Sequence, residues 1–221
     1  MTQLINFLRD IQQKGLKINA VYDIGAWVGH WSKNIKSVIP EAQFILFEAN
    51  PAYKNELENS GFIHFCGVAL SSPGKKTVNF YNGTNTGDSY YKETTSIYDN
   101  QGTISLDCVT LDELIVTNNL PIPNFIKIDT QGSELDILSG ATSILDRVDL
   151  IYTECPILCY NQGAPTIQDY IEFFKKHNFV PIDILEKHIS ENLLIQIDIM
   201  FMRNETKEKL LGPNGIIRPF I

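Results

Sequence analysis

Three carboxylates stand where short apolar runs end: Asp23 in AVYDIG, Glu48 in FILFEAN and Asp129 in FIKIDTQG. Between the first two lies a glycine turn with Gly25 and Gly29. Strand, glycine turn, helix and a second strand closed by an acid are the parts of an adenosine-binding half-fold. The turn then discriminates among ligands. A dinucleotide fingerprint needs G-x-G-x-x-G, so that the backbone can approach a pyrophosphate. Here the three positions are Gly25, Trp27 and His30, so two fail, and no Gly-Lys-Ser/Thr Walker loop follows. The pattern disfavours a phosphate-held ligand and fits S-adenosylmethionine, which has adenosine, no phosphate and an ammonium-bearing tail. Asp23 is expected to face that ammonium. Gly25, Ala26 and Gly29 are expected to line the turn, and Glu48 to accept both ribose hydroxyls.

The second constellation is FIKIDTQGSELDIL, where an apolar strand ends in Asp129 and passes through Gln131-Gly132 into a helix. In a parallel sheet this strand end lies beside that of Asp23 at the switch point, so Asp129 is expected at the edge of the cofactor cleft. If such a ligand passes its methyl to a hydroxyl, the site needs alignment and a base, because a protonated hydroxyl is a poor nucleophile. The catalytic candidates are Asp129, Glu154 and His30. Glu154 closes an apolar strand just before Pro156, so desolvation should raise its pKa. An imidazole titrates near neutrality, which suits His30, although a first-turn helix position is also simply solvated. Asp198, inside IQIDIMFM, needs a partner. A divalent cation is a variant in which Asp129 and Glu154 give oxygens; nothing in the sequence demands it, and no metal ligand is assigned.

These side chains must be positioned by an α/β sheet. Apolar runs at 21–24, 44–47, 63–70, 125–128 and 150–153 are mostly continuous, as in strands covered on both faces. Helical signals fall between them: Asn50-Pro51, the capping box Thr110-x-x-Glu113, and Pro165-Thr166 with Asp169. The alternation predicts a mostly parallel sheet. Runs at 179–185 and 194–202, joined by HISENL, predict an antiparallel C-terminal hairpin. One domain spans 1–221, with an amphipathic N-terminal helix in 1–18, a β-hairpin or irregular insertion over 71–109, and a tail over 205–221. Tyr90, Tyr91 and Tyr98 in that insertion either stack on an acceptor ring or pack the insertion itself.

Of 221 residues, 43% are apolar, enough for a real core, and the formal charge is −8. An acidic chain without a Lys/Arg cluster is a poor binder of phosphate backbones, so no nucleic-acid partner is expected. No apolar run approaches the roughly 20 residues of a membrane span. Cys66, Cys108, Cys155 and Cys159 lack zinc spacing and read as reduced thiols. Without a targeting segment, the expected location is cytoplasmic. Oligomeric state is not encoded in these patterns.

Several segments together carry a family pattern: YDIGAWVGHWS, FEANP, GVALSSPGKKTVNFY, TTSIY, VTLDEL, KIDTQGSELDILSGA, YTECP and IQIDIMFMR. Over roughly residues 19–203 the chain resembles the FkbM-type S-adenosylmethionine-dependent methyltransferases. KIDTQGSELDILSGA is the most specific part. The resemblance implies a Rossmann-like seven-stranded sheet, the class I methyltransferase fold, with helices on both faces. It also implies O-methylation of a sugar, glycan or small natural product. By the same resemblance Asn50 supports the loop after Glu48, Val68 and Ala69 border the adenine, and Asp129 matches the acid ending the fourth strand. Trp27 and His30 depart from the family pattern, and Tyr90-Tyr91 is this chain's own. The competing readings are an adenosine-binding module without catalysis and, against the failed fingerprint, a nicotinamide-dependent oxidoreductase.

Overall fold

The computed structural model describes residues 1–83, 87–94 and 102–212. In chain order the strands are β1 (Ala20–Ile24), β2 (Gln43–Glu48), β3 (Ile63–Cys66), β4 (Ala69–Leu70), β5 (Thr77–Asn82), β6 (Gly102–Val109), β7 (Phe125–Ile128), β8 (Leu150–Pro156), β9 (Phe179–Ser190) and β10 (Leu193–Arg203). The helices are α1 (Thr2–Gln13), α2 (His30–Lys36), α3 (Lys54–Glu58), α4 (Leu111–Asn118), α5 (Glu134–Ser139), α6 (Ile167–Lys176) and α7 (Asn204–Leu211).

Seven strands form one sheet in the order β3-β2-β1-β7-β8-β10-β9. The neighbours from β3 to β8 pair in parallel, and β10 is antiparallel to both β8 and β9. The order reverses between β1 and β7, which creates the crevice where such sheets bind ligands. Both strands are buried along their whole length because helices cover both faces. On one face α1 packs through Leu4, Leu8 and Ile11, with α2 and α3 beside it. On the other face α4, α5 and α6 contribute Leu111, Ile137 and Phe174. No helix among the described residues is long and apolar enough to cross a membrane.

Local chemistry sets the boundaries. Thr110 and Thr166 each form a reciprocal capping box, with Glu113 and Asp169, which satisfies donors that a helix start leaves unpaired. β9 and β10 turn through Glu191 and Asn192 at φ 50° and 64°, the left-handed pair of a tight hairpin.

The run expected as one strand over 63–70 is broken. Gly67, at φ 87°, ends β3, and β4 leaves to pair with β6. The insertion is accordingly a three-stranded sheet, β4-β6-β5, rather than an isolated hairpin. The tail expected from 205 begins as α7, and its remainder, 213–221, lies outside the described residues, as does Tyr98.

Candidate functional site

The carboxyl ends of β1, β2 and β7 frame a cleft of about 920 Å³, counting its open mouth. Its floor is the glycine turn. The amides of Gly25 and Ala26 both donate to the Phe47 carbonyl, at 2.9 and 3.0 Å. Gly25 has φ +72°, and a Cβ there would sit 1.8 Å from the Asp129 carbonyl oxygen. Glycine is therefore required by the approach of the β1 and β7 loops, before any ligand is considered. Gly29, at φ +77°, caps α2 and faces Leu46 rather than the cleft.

Glu48 closes β2 and is 8% exposed. Its Oε2 accepts from the Trp27 amide and its Oε1 from the Asn50 amide, both at 2.8 Å. Burial pushes its pKa up to about 7 despite those two bonds. Asn50 holds the following turn, accepting from Ala52 N and donating to Asp88, 2.6 Å away. Val68 and Ala69 line the cleft beyond Glu48, and Asp88 and Tyr90 reach it from the insertion. Trp27 takes φ 50° and meets His30 and Tyr53 edge-on, so these three aromatic rings rim the cleft.

Asp23 behaves differently from the expectation. It is fully buried and does not line the cleft. Its Oδ2 accepts from Ser32, and Lys127 Nζ stands 3.1 Å from Oδ1. The same ammonium donates to the Gly25 carbonyl at 2.7 Å and lies 3.5 Å from Asp129. Burial opposes the Lys127 charge, but Asp23 and Asp129 outweigh it and hold its pKa above the ordinary lysine range. A lysine inside the apolar run FIKID signalled this arrangement, since lysines are almost never buried unpaired.

A second cavity of about 570 Å³ lies over β7, β8, β9 and β10. Trp31, Lys127 and Asp129 line both cavities. Glu154, Glu186, His188 and Asp198, with Tyr152 and Thr153, add further polar lining. Burial raises the Glu154 pKa well above the carboxylate range, and repulsion from Asp129 and Asp198 adds to it. Gln131 donates to Glu154 at 2.6 Å and to Asp129 at 3.3 Å. Asp198 finds the partners the sequence required: Tyr152 donates at 2.7 Å, and His188 Nε2 lies 2.9 Å away. Burial also raises the Asp198 pKa.

Of the residues expected at the cofactor, Gly25, Ala26, Glu48, Val68, Ala69 and Asp129 line the cleft, and His30 does so from the rim. Asp23, Gly29 and Asn50 stand behind it, and Glu154 belongs to the second cavity. Tyr91 donates to Asp136 at 2.9 Å and Tyr90 at 3.2 Å, so both hydroxyls pack the insertion onto α5. Asp88 and His188 had no local sequence signal.

A family model described as the methyltransferase FkbM domain matches residues 23–181. Among curated proteins, the hexuronic acid methyltransferase AglP of Haloferax volcanii is 33% identical over 54 residues, 24% of this chain and 23% of that protein. The aligned segment thus spans about a quarter of either length. Among solved structures, a provisionally assigned O-methyltransferase from Klebsiella pneumoniae superposes with TM-score 0.50 at 11% identity, covering 91% of this chain and 79% of that one. Precorrin-6y C5,15-methyltransferase from Geobacter metallireducens gives TM-score 0.47 at 12% identity, over 91% and 87%.

Proposed function

The chain belongs to the FkbM methyltransferase family, and from that membership we propose that it methylates a hydroxyl of a sugar, glycan or small natural product with S-adenosylmethionine. The observation carrying this reading is Asp129, which lines both the adenosine-type cleft and the carboxylate-lined cavity. A group in a shared wall is where donor and acceptor would meet.

The cleft residues suit the cofactor. Glu48 presents a fixed carboxylate to the ribose diol, because two backbone amides hold it. Val68 and Ala69, which line the cleft, would border the adenine, and Gly25 and Ala26 would pass the amino-acid tail. Asp23 acts through Lys127: the pair braces the Gly25 carbonyl and so the turn. The cofactor, when bound, would supply an electrophilic methyl, with the O–C bond forming as the C–S bond breaks and the electron pair staying on a neutral thioether sulfur. The enzyme's work is in-line alignment and removal of the hydroxyl proton. Asp129 takes that proton. Glu154 stands beside Asp129: Gln131 bridges the two carboxylates, and burial together with repulsion from Asp129 raises the Glu154 pKa. A sugar acceptor is supported by the hexuronic acid methyltransferase relative over its short match. A reducing, cytoplasmic setting belongs to the same reading, since the four cysteines are all free.

Calorimetry should detect binding of S-adenosylmethionine and of its demethylated product, and none of NAD. Labelled methyl should pass to a member of a hydroxylated acceptor panel. Asp129→Asn should lower turnover by about 10²–10⁴-fold, the usual range for general-base loss, at unchanged cofactor affinity. NAD binding without either methyl-cycle ligand would sink the reading, and full turnover by Asp129→Asn would remove Asp129 from it.

A further inference from the structure

Glu154, Asp198 and Glu186 form one row across three strands: the register pairs Asp198 with Glu154 on β8 and with Glu186 on β9. Like charges directly opposite on a sheet repel, and here they line a cavity. The cations around them are largely committed. Lys127 is tied to Asp23, Asp129 and the Gly25 carbonyl, and Glu186 pairs with the Met1 ammonium at 3.2 Å. His188 reaches into the same cluster, 2.9 Å from Asp198 Oδ1. One ligand atom each from Glu154, His188 and Asp198 lies within 4.8 Å of the other two.

We propose that Glu154, His188 and Asp198 bind a divalent first-row cation, such as Mn²⁺ or Zn²⁺, in the second cavity. Two carboxylates and an imidazole form a donor set for such ions. The surroundings are those of a prepared site. Tyr152 donates to Asp198 Oδ2 and Gln131 to Glu154 Oε2, which steadies each carboxylate by one oxygen and leaves the other for the ion. The His188 ring already presents Nε2 to Asp198; the ion takes the place of the proton between them. Three protein ligands leave coordination positions for water or an acceptor hydroxyl. A hydroxyl bound there would be acidified beside Asp129, which takes its proton. That role rests on the methyltransferase reading, whereas ion binding itself does not.

The test titrates Mn²⁺ into the chelator-treated full chain and follows the free-ion signal by electron paramagnetic resonance, with cofactor affinity measured in parallel by calorimetry. One Mn²⁺ should bind per chain, and Zn²⁺ should compete. Asp198→Asn and His188→Ala should weaken binding by about 100-fold, and Tyr152→Phe, which removes only a supporting hydroxyl, by about tenfold. His188 is partly exposed, so its variant keeps the test open if the buried Asp198 variant fails to fold. No saturable Mn²⁺ binding by the parent chain, or unchanged binding by His188→Ala, overturns the proposal. Cofactor binding without Mn²⁺ binding rejects the ion and leaves the methyltransferase reading standing. Mn²⁺ binding without cofactor binding supports the ion and rejects that reading.

Discussion

The two cavities share Trp31, Lys127 and Asp129 but are built by opposite means. In the proposed cofactor cleft the carboxylate ending β2, Glu48, is fixed by backbone amides of its own and the neighbouring loop. In the second cavity carboxylates gather from β8, β9 and β10 and are held by side chains: Gln131, Tyr152 and His188. The first arrangement orients one acceptor for neutral hydroxyl donors. The second concentrates negative charge in a partly enclosed space, where protons or a cation must balance it. Orientation comes from the main chain, and reactivity from side chains brought together at distance.

The sharpest way to break this contrast is at the Asp23–Lys127 pair beneath both cavities. Asp23→Ala should cost about 3–5 kcal/mol of stability, the usual loss when one partner of a buried pair is removed, read by urea denaturation. Unchanged stability with lost cofactor affinity would instead return Asp23 to direct ligand contact. Next in size, Glu48→Gln should lose about 1.5–3 kcal/mol of cofactor binding, the range for hydrogen bonds to a charged group, with the fold intact.

Glu48 also makes the cleft pH-sensitive. Its pKa of about 7 in the folded chain exceeds the ordinary glutamate value of 4.5. Ribose hydroxyls favour the ionised form, so cofactor affinity should strengthen as pH rises through 7 and then level. The stability term has the opposite sign. Between the two pKa values the folded chain holds a proton that the unfolded chain releases, so Glu48's contribution falls as pH rises through that window. Glu48→Gln should flatten both slopes, measured by calorimetry and by denaturation across pH 5–8. An unchanged affinity profile would move the ribose contact elsewhere. The smallest effect belongs to Tyr91→Phe. Losing its bond to Asp136 should cost about 1 kcal/mol of stability with cofactor affinity unchanged. A large affinity loss would put Tyr91 into a ligand site as well.

The parts of the molecule readable from the chain alone are those whose interactions are local. The glycine turn, the capping boxes at Thr110 and Thr166, the strand-end acids Asp23, Glu48 and Asp129, and the antiparallel hairpin are all written within a few residues of where they act. Ligand class followed from them because a missing second glycine has a direct steric meaning. Tertiary structure decided what those acids do. Asp23 turned inward because a buried lysine, Lys127, sits beside it on β7, paired in register with β1. His188 and Glu186 reached Glu154 and Asp198 through the pairing of β8, β10 and β9, with a register shift between Asp198 and Ile199. A one-residue shift moves a strand's side chains to the other face. Periodicity within a single strand therefore could not reveal which acids would share a cavity; hydrogen bonding between distant strands had to fix it.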